Sequence, residues 1–228
     1  MNYNEKKLLQ VFENLKSIKH LDSFAVDTED ILNFLDSHHF YYDYFYGASK
    51  VVIIPQFRDN TDYVIKIPFD RLYDEEDEET TPLECANDNE LHNWDYCYNE
   101  LLRYHIAKQN NYEHLFAKVK LLGKVGKFPI YLQKKVIDSN EYFDTIGRTP
   151  SRENYNRIKT SLTRKGIFRH INIDWLYSVE KEYGTKYMLD FVEFLHINGW
   201  DDDLSASNVG YTISDHKPII FDYAGFND

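Results

Sequence analysis

The chain of 228 residues is long enough to bury a substantial core, either as one two-lobed domain or as two small ones. Its formal net charge of −12 disfavours broad electrostatic binding to nucleic acid or to an anionic membrane, since both demand a positive field. No apolar run reaches the length of a membrane span, and the opening MNYNEKKLLQ lacks the apolar core of a secretory signal, so a cytoplasmic location without a membrane partner is expected.

Residues 4–19 and 28–37 carry apolar residues at helical spacing. Thr28 is placed to cap the second helix, with Glu29 and Asp30 in its first turn, and Ile31, Phe34 and Leu35 share a face. This pair reads as a brace rather than a site. From Tyr41 the period changes from helix to sheet: an aromatic run at 41–46, a Gly47-Ala48-Ser49 turn, an apolar run from Val51 to Pro55, and Tyr63 to Pro68 with Lys66 inside it. Asp74 to Glu79 is an unbroken acidic run, and like charges at that density repel, so a solvated loop is expected. Cys85 and Cys97 have no metal-type spacing and read as packing thiols of a reducing compartment.

A helix is predicted over 89–108, with Leu91, Trp94, Tyr98, Leu101, Leu102 and His105 on its apolar face. Glu100 lies away from that stripe and Glu90 on its edge. Phe116 to Leu122 and Phe128 to Val136 read as two strands about a Gly123 to Lys127 turn. Between 148 and 170, Arg148, Arg152, Arg157, Lys159, Arg164, Lys165 and Arg169 are set against a single acid, Glu153. As a solvated face this basic patch balances the acidic run; as a site it would suit a phosphorylated or acidic substrate, or RNA.

Tyr187 to Ile197 has Met188, Phe191, Val192 and Leu195 at the spacing of a buried helix face, stopped by Asn198-Gly199. His196 at its end reads as structural. Beyond it, Asp203 stands five residues before Asn208, Val209 to Tyr211 forms a strand, Asp215 to Lys217 a polar turn, and Pro218 to Phe221 a buried strand ending at Asp222. Two carboxylates and a carboxamide at strand ends supply hard oxygen ligands and an anionic base, a combination suited to a magnesium-bound triphosphate.

Asp203-Leu204-Ser205-Ala206-Ser207-Asn208, followed by Asp222-Tyr223-Ala224 and then Gly225, resembles the catalytic loop and the Asp-Phe-Gly metal-binding triplet of the protein-kinase-like superfamily. Val64-Ile65-Lys66 is similar to that family's Val-Ala-Ile-Lys. Two departures stand out: the usual His-Arg before the base is Asp201-Asp202, and the phosphate-covering turn holds only Gly47 and Ser49 where the family has more glycines. The resemblance implies an α+β, two-lobed fold, with an N-terminal helical extension over 1–40, an N-lobe of antiparallel sheet plus helix over 41–136, and a reduced helical C-lobe over 137–228. It implies ATP and Mg²⁺ as cofactors. Lys66 would hold the phosphates and pair with a helix glutamate, Glu100 by its interval to the next strand, with Glu90 second. Gly47 and Ser49 would cover the phosphates, and Gln133 would open a hinge over 133–136 whose backbone meets the adenine. Asp203 would be the base, and Asn208 and Asp222 the metal ligands.

The function so implied is transfer of the γ-phosphoryl group of ATP to a hydroxyl of an unidentified protein or small molecule. Six residues follow Asp222, so no activation segment or later helices are expected, as in a truncated kinase. The alternative is a pseudokinase-like binding module that inhibits or regulates a partner protein, which the thin glycine turn favours. A third reading is an unrelated α+β interaction protein carrying the motif by chance. The wealth of Tyr, Asn, Lys and Ile points to an AT-rich coding source, such as a phage or a bacterial mobile element.

Overall fold

A computed structural model describes residues 10, 13, 28–37, 41–46, 50–56, 62–68, 96–125, 128–139, 149–167, 171–202 and 204–223. The fold class is α+β, and the chain divides into two compact units: Met1–Leu101 with Lys118–Lys135, and Leu102–Ala117 with Val136–Asp228. No helix among the described residues is long and apolar enough to cross a membrane.

The first unit is organised by a five-stranded sheet. Strands β1 (Tyr42–Tyr46), β2 (Lys50–Pro55), β3 (Tyr63–Pro68), β4 (Val119–Val125) and β5 (Phe128–Lys134) lie in the order β1-β2-β3-β5-β4, with every neighbour antiparallel. The β-branched runs of β2 and β3 suit a sheet buried on both faces. Val51, Ile53, Ile65, Ile67, Ile130 and Leu132 fill one face by their register. Val52, Val64, Lys66, Tyr131 and Gln133 lie on the other, so the buried lysine and glutamine share one face of the central strands. Helix α1 (Thr28–Ser37) buries Leu32 and Leu35 and is tied to the edge strand by the Tyr42 hydroxyl, which donates to the Leu32 carbonyl at 3.2 Å and to Asp36 at 3.1 Å.

Two expectations are corrected here. The strand expected over 116–122 starts at Val119 and continues through Gly123 to Val125, because a bulge between Leu121 and Gly123 absorbs one residue and lets the pairing go on. The strand expected over 128–136 stops at Lys134, and after Lys135 alone a separate strand, β6 (Val136–Asp138), begins.

Helix α2 (Tyr96–Gln109) differs from the periodicity reading in its rotation. Cys97, Glu100 and Ala107 are buried, while Tyr98 (47% exposed), Leu102 (43%) and His105 face outward. The stripe 97, 100, 104, 107 is a helical face, and what selects it is a charged residue. Leu91, Trp94 and Glu90 lie outside the described residues, as does Cys85; Cys97 is a buried thiol outside any disulfide.

The second unit holds helices α3 (Arg152–Arg164), α4 (Ile173–Tyr183) and α5 (Thr185–Ile197) and a small antiparallel sheet in the order β6-β7-β8, where β7 is Val209–Thr212 and β8 is Pro218–Ile220. Ser151 and Asn172 cap α3 and α4 by accepting the amides of Asn154 and Trp175. Gly184, at φ +92°, is the single residue between the end of α4 and the start of α5. The core is aromatic: Trp175, Phe191, Phe116, Trp200, Tyr223 and Tyr211 are buried, and Phe116 meets Phe191, Trp200 and Tyr223 edge-on. Met188, Phe191, Val192 and Leu195 of α5 are all fully buried. The basic stretch becomes α3, where Arg157 pairs with Glu180 and Lys165 with Glu193, so part of its charge is answered within the unit. Arg148 and Arg169 lie outside the described residues.

Candidate functional site

Within the first unit, β3 delivers Lys66. Its neighbours Ile65 and Ile67 point to the opposite face, so the lysine emerges on the side shared with Val52, Tyr131 and Gln133. There its Nζ lies 2.9 Å from Oε1 and 3.0 Å from Oε2 of Glu100 on α2. Glu100 is 0% exposed and Lys66 3%, so the pair is withdrawn from water, where an ion stripped of its counter-charge is costly. This ion pair explains the rotation of α2: turning the apolar stripe inward would have carried the carboxylate away from the lysine.

Glu100 takes more than one cation. Lys50, the first residue of β2 and also 3% exposed, donates to the same Oε1 at 3.1 Å. The carboxamide Nε2 of Gln133 donates to Oε2 at 3.4 Å. In the β2–β3 register Val52 opposes Lys66 and Lys50 opposes Pro68, so the two lysines sit diagonally on one face of the sheet. One buried carboxylate thus gathers two ammoniums and an amide.

Within the second unit, the β7–β8 hairpin brings Asn208 and Asp222 together. The Asn208 carbonyl accepts the amides of Phe221 at 2.9 Å and Asp222 at 3.3 Å, one step beyond the Val209–Ile220 pairing. The loop before β7 is fastened at successive residues. Leu204 is fully buried and its carbonyl accepts the Asn172 amide at 2.8 Å; the Ala206 carbonyl accepts the Ser139 hydroxyl at 2.8 Å; the Ser205 carbonyl accepts the Asn208 amide at 3.1 Å. On the far side, the Tyr223 hydroxyl donates to the Ala117 carbonyl at 2.8 Å and the Tyr223 carbonyl accepts from the Arg103 guanidinium. Asp222 is therefore held between two anchored neighbours. Asp201, buried, accepts from Nδ1 of His196 at 2.7 Å, which ties the start of this loop to the end of α5 and fixes that imidazole nitrogen as the donor.

Of the residues singled out in the sequence, Lys66, Glu100 and Gln133 meet in the first unit, and Asn208 and Asp222 meet in the second. It is the side chain of Gln133 that reaches its group. Asp203, Gly47 and Ser49 lie outside the described residues. Sequence reasoning missed Lys50, Ser139 and Arg103. No local spacing marks them: Lys50 joins Glu100 only through the register of β2 on β3, and Arg103 and Tyr223 are 120 positions apart.

Comparison with protein-family models finds none that matches the chain, and comparison with characterised proteins likewise finds no match. The functional reading rests on these residues and their geometry.

Proposed function

We propose that the chain is a kinase-like phosphotransferase with two lobes, which moves the γ-phosphoryl group of ATP to a hydroxyl on a protein or small molecule. The observation that carries this reading is the buried Lys66–Glu100 ion pair, with Nζ 2.9 Å from the carboxylate. A buried carboxylate that keeps a lysine charged on one face of a sheet makes positive charge available there for phosphate oxygens. Support also comes from Asn208 and Asp222, whose backbones are joined at 3.3 Å. Their carboxamide and carboxylate oxygens are hard donors, a set that fits Mg²⁺, and they would be the residues to hold it. When bound, that ion neutralises charge on the phosphates.

In the proposed step, Lys66 positions the phosphates and Asp203 orients the acceptor hydroxyl and takes its proton. A bond forms from the hydroxyl oxygen to the γ-phosphorus, the bond from that phosphorus to the β–γ bridging oxygen breaks, and ADP leaves. Asp201 serves a neighbouring role. Standing where the family has the first residue of its His-Arg, it is paired with His196 and ties the start of this loop to the end of α5.

The test uses ATP labelled in the γ-phosphate, with water and the protein's own hydroxyls as acceptors. Wild type is expected to release or incorporate label only with Mg²⁺ present, and Asp203→Asn to lower that rate by about 10²–10⁴-fold while ATP still binds. Binding with no transfer, in wild type and variant alike, would replace this reading with a nucleotide-binding module that acts by docking to a partner.

A further inference from the structure

We propose that Lys50 is a second phosphate-binding lysine, interchangeable with Lys66, so that one ammonium stays on Glu100 while the other meets the phosphates of a nucleoside triphosphate. This rests on the nucleotide-binding reading above and assigns a residue that its motifs do not contain.

The inference starts from a shared atom. Lys50 and Lys66 both donate to Oε1 of Glu100, at 3.1 Å and 2.9 Å, and all three side chains are withdrawn from water. A single lysine that left a buried glutamate for another anion would strand that carboxylate, and with its three N–H donors it can at most share itself between the two. Two lysines on one carboxylate remove this obstacle, because whichever remains keeps Glu100 compensated. The side chain suits such an exchange: an ammonium is a compact charge on a flexible four-carbon stem, with no planar fork to be matched. Gln133, the third donor, is neutral and cannot stand in for either charge.

Position supports the assignment. Lys50 opens β2, directly after residues 47–49, and its diagonal placement against Lys66 puts both stems on one sheet face. Any phosphate close enough to meet the Lys66 ammonium beside Glu100 therefore lies on the side of the sheet from which Lys50 also extends. The competing role for Lys50 is a purely structural one, as a strap between β2 and α2. The two roles differ in what they do to ligands: a strap supports the whole unit, whereas a phosphate ligand acts only on nucleotides that carry phosphates.

The experiment titrates ATP with Mg²⁺, and separately adenosine, into wild type, Lys50→Met, Lys66→Met and the double variant by calorimetry. Each single variant is expected to weaken ATP roughly tenfold and the double variant by at least about a hundredfold, with adenosine affinity within about twofold throughout. Lys50→Gln, which keeps a donor for Glu100 but no charge, should lose as much ATP affinity as Lys50→Met. If Lys66→Met alone abolishes ATP binding and Lys50→Met leaves it unchanged, the interchangeable pair is overturned and the kinase-like reading stands. Equal loss of ATP and adenosine in both Lys50 variants assigns the residue to folding and also overturns it. A wild type that binds no ATP overturns both.

Discussion

Glu100 decides more than any other described side chain. It is fully buried, accepts from Lys50, Lys66 and Gln133, and sets which face of α2 turns inward. Removing one partner of a buried ionic group leaves the others uncompensated, so Glu100→Ala should cost about 3–5 kcal/mol. Chemical denaturation, read as a lowered midpoint at unchanged slope, checks this. Lys66→Met should cost clearly less, because Lys50 continues to compensate the carboxylate. At this scale the sequence was legible where a residue contradicted its surroundings. A lysine inside Val-Ile-Lys-Ile is conspicuous, and Asp222 after an apolar strand is too. The rotation of α2 was not legible, because counting apolar residues favours Tyr98, Leu102 and His105. The counter-charge demanded by two distant lysines outweighs the burial those side chains would have gained.

At the scale of elements, junctions carry the constraints. Gly184 and Gly210 are both required, for opposite reasons. A Cβ at Gly184 meets nothing within 4 Å, but the residue sits at φ +92° and ψ 159°, a region essentially confined to glycine, so Gly184→Ala should cost about 1–3 kcal/mol of backbone strain. A Cβ at Gly210 would lie 2.2 Å from the Ile137 carbonyl oxygen, a backbone atom that cannot retreat without breaking the β6–β7 pairing. Gly210→Ala should therefore destabilise by more than about 3 kcal/mol or prevent folding, and thermal melts of the two variants side by side separate strain from collision.

Glu180 of α4 joins three helices. Its carboxylate accepts from Arg157 of α3 and, at 2.7 Å, from Thr185 at the start of α5. Burial pushes its carboxyl upward, but the hydrogen bonds from Arg157 and Thr185 outweigh burial and hold it below the usual glutamate value of 4.5. A folded-state value below the unfolded one means stability that is fully present above that range and lost as pH falls through the folded value. Relative to Glu180→Gln, wild type should be more stable by about 1–3 kcal/mol at neutral pH, and melts recorded across pH should show the gap closing below 4.5. Helix α5 was plain in the sequence from its periodicity, whereas α3 and this clamp were hidden, since Arg157 read as one charge in a basic patch. The strand boundaries of β4 were hidden as well, because a bulge leaves no mark in an alternating pattern.

At the scale of the molecule, the chain crosses between two units at Leu101, Ala117 and Lys135, and each unit holds groups on which the proposal rests. The first contributes a caged lysine, the second a pair of oxygen-bearing side chains on an anchored hairpin. The α+β class and the antiparallel sheet were readable from the change of period at Tyr41 and from the turn residues. The three-residue strand β6 was not, because so short a strand exists only through its pairing with β7. The central claim is that these groups serve a magnesium-bound nucleotide. Calorimetric titration of ATP into wild type and Asp222→Ala, each with and without Mg²⁺, tests it most directly. The account predicts binding that requires the metal in wild type and is lost in Asp222→Ala; a folded wild type that takes up no ATP under either condition would contradict it.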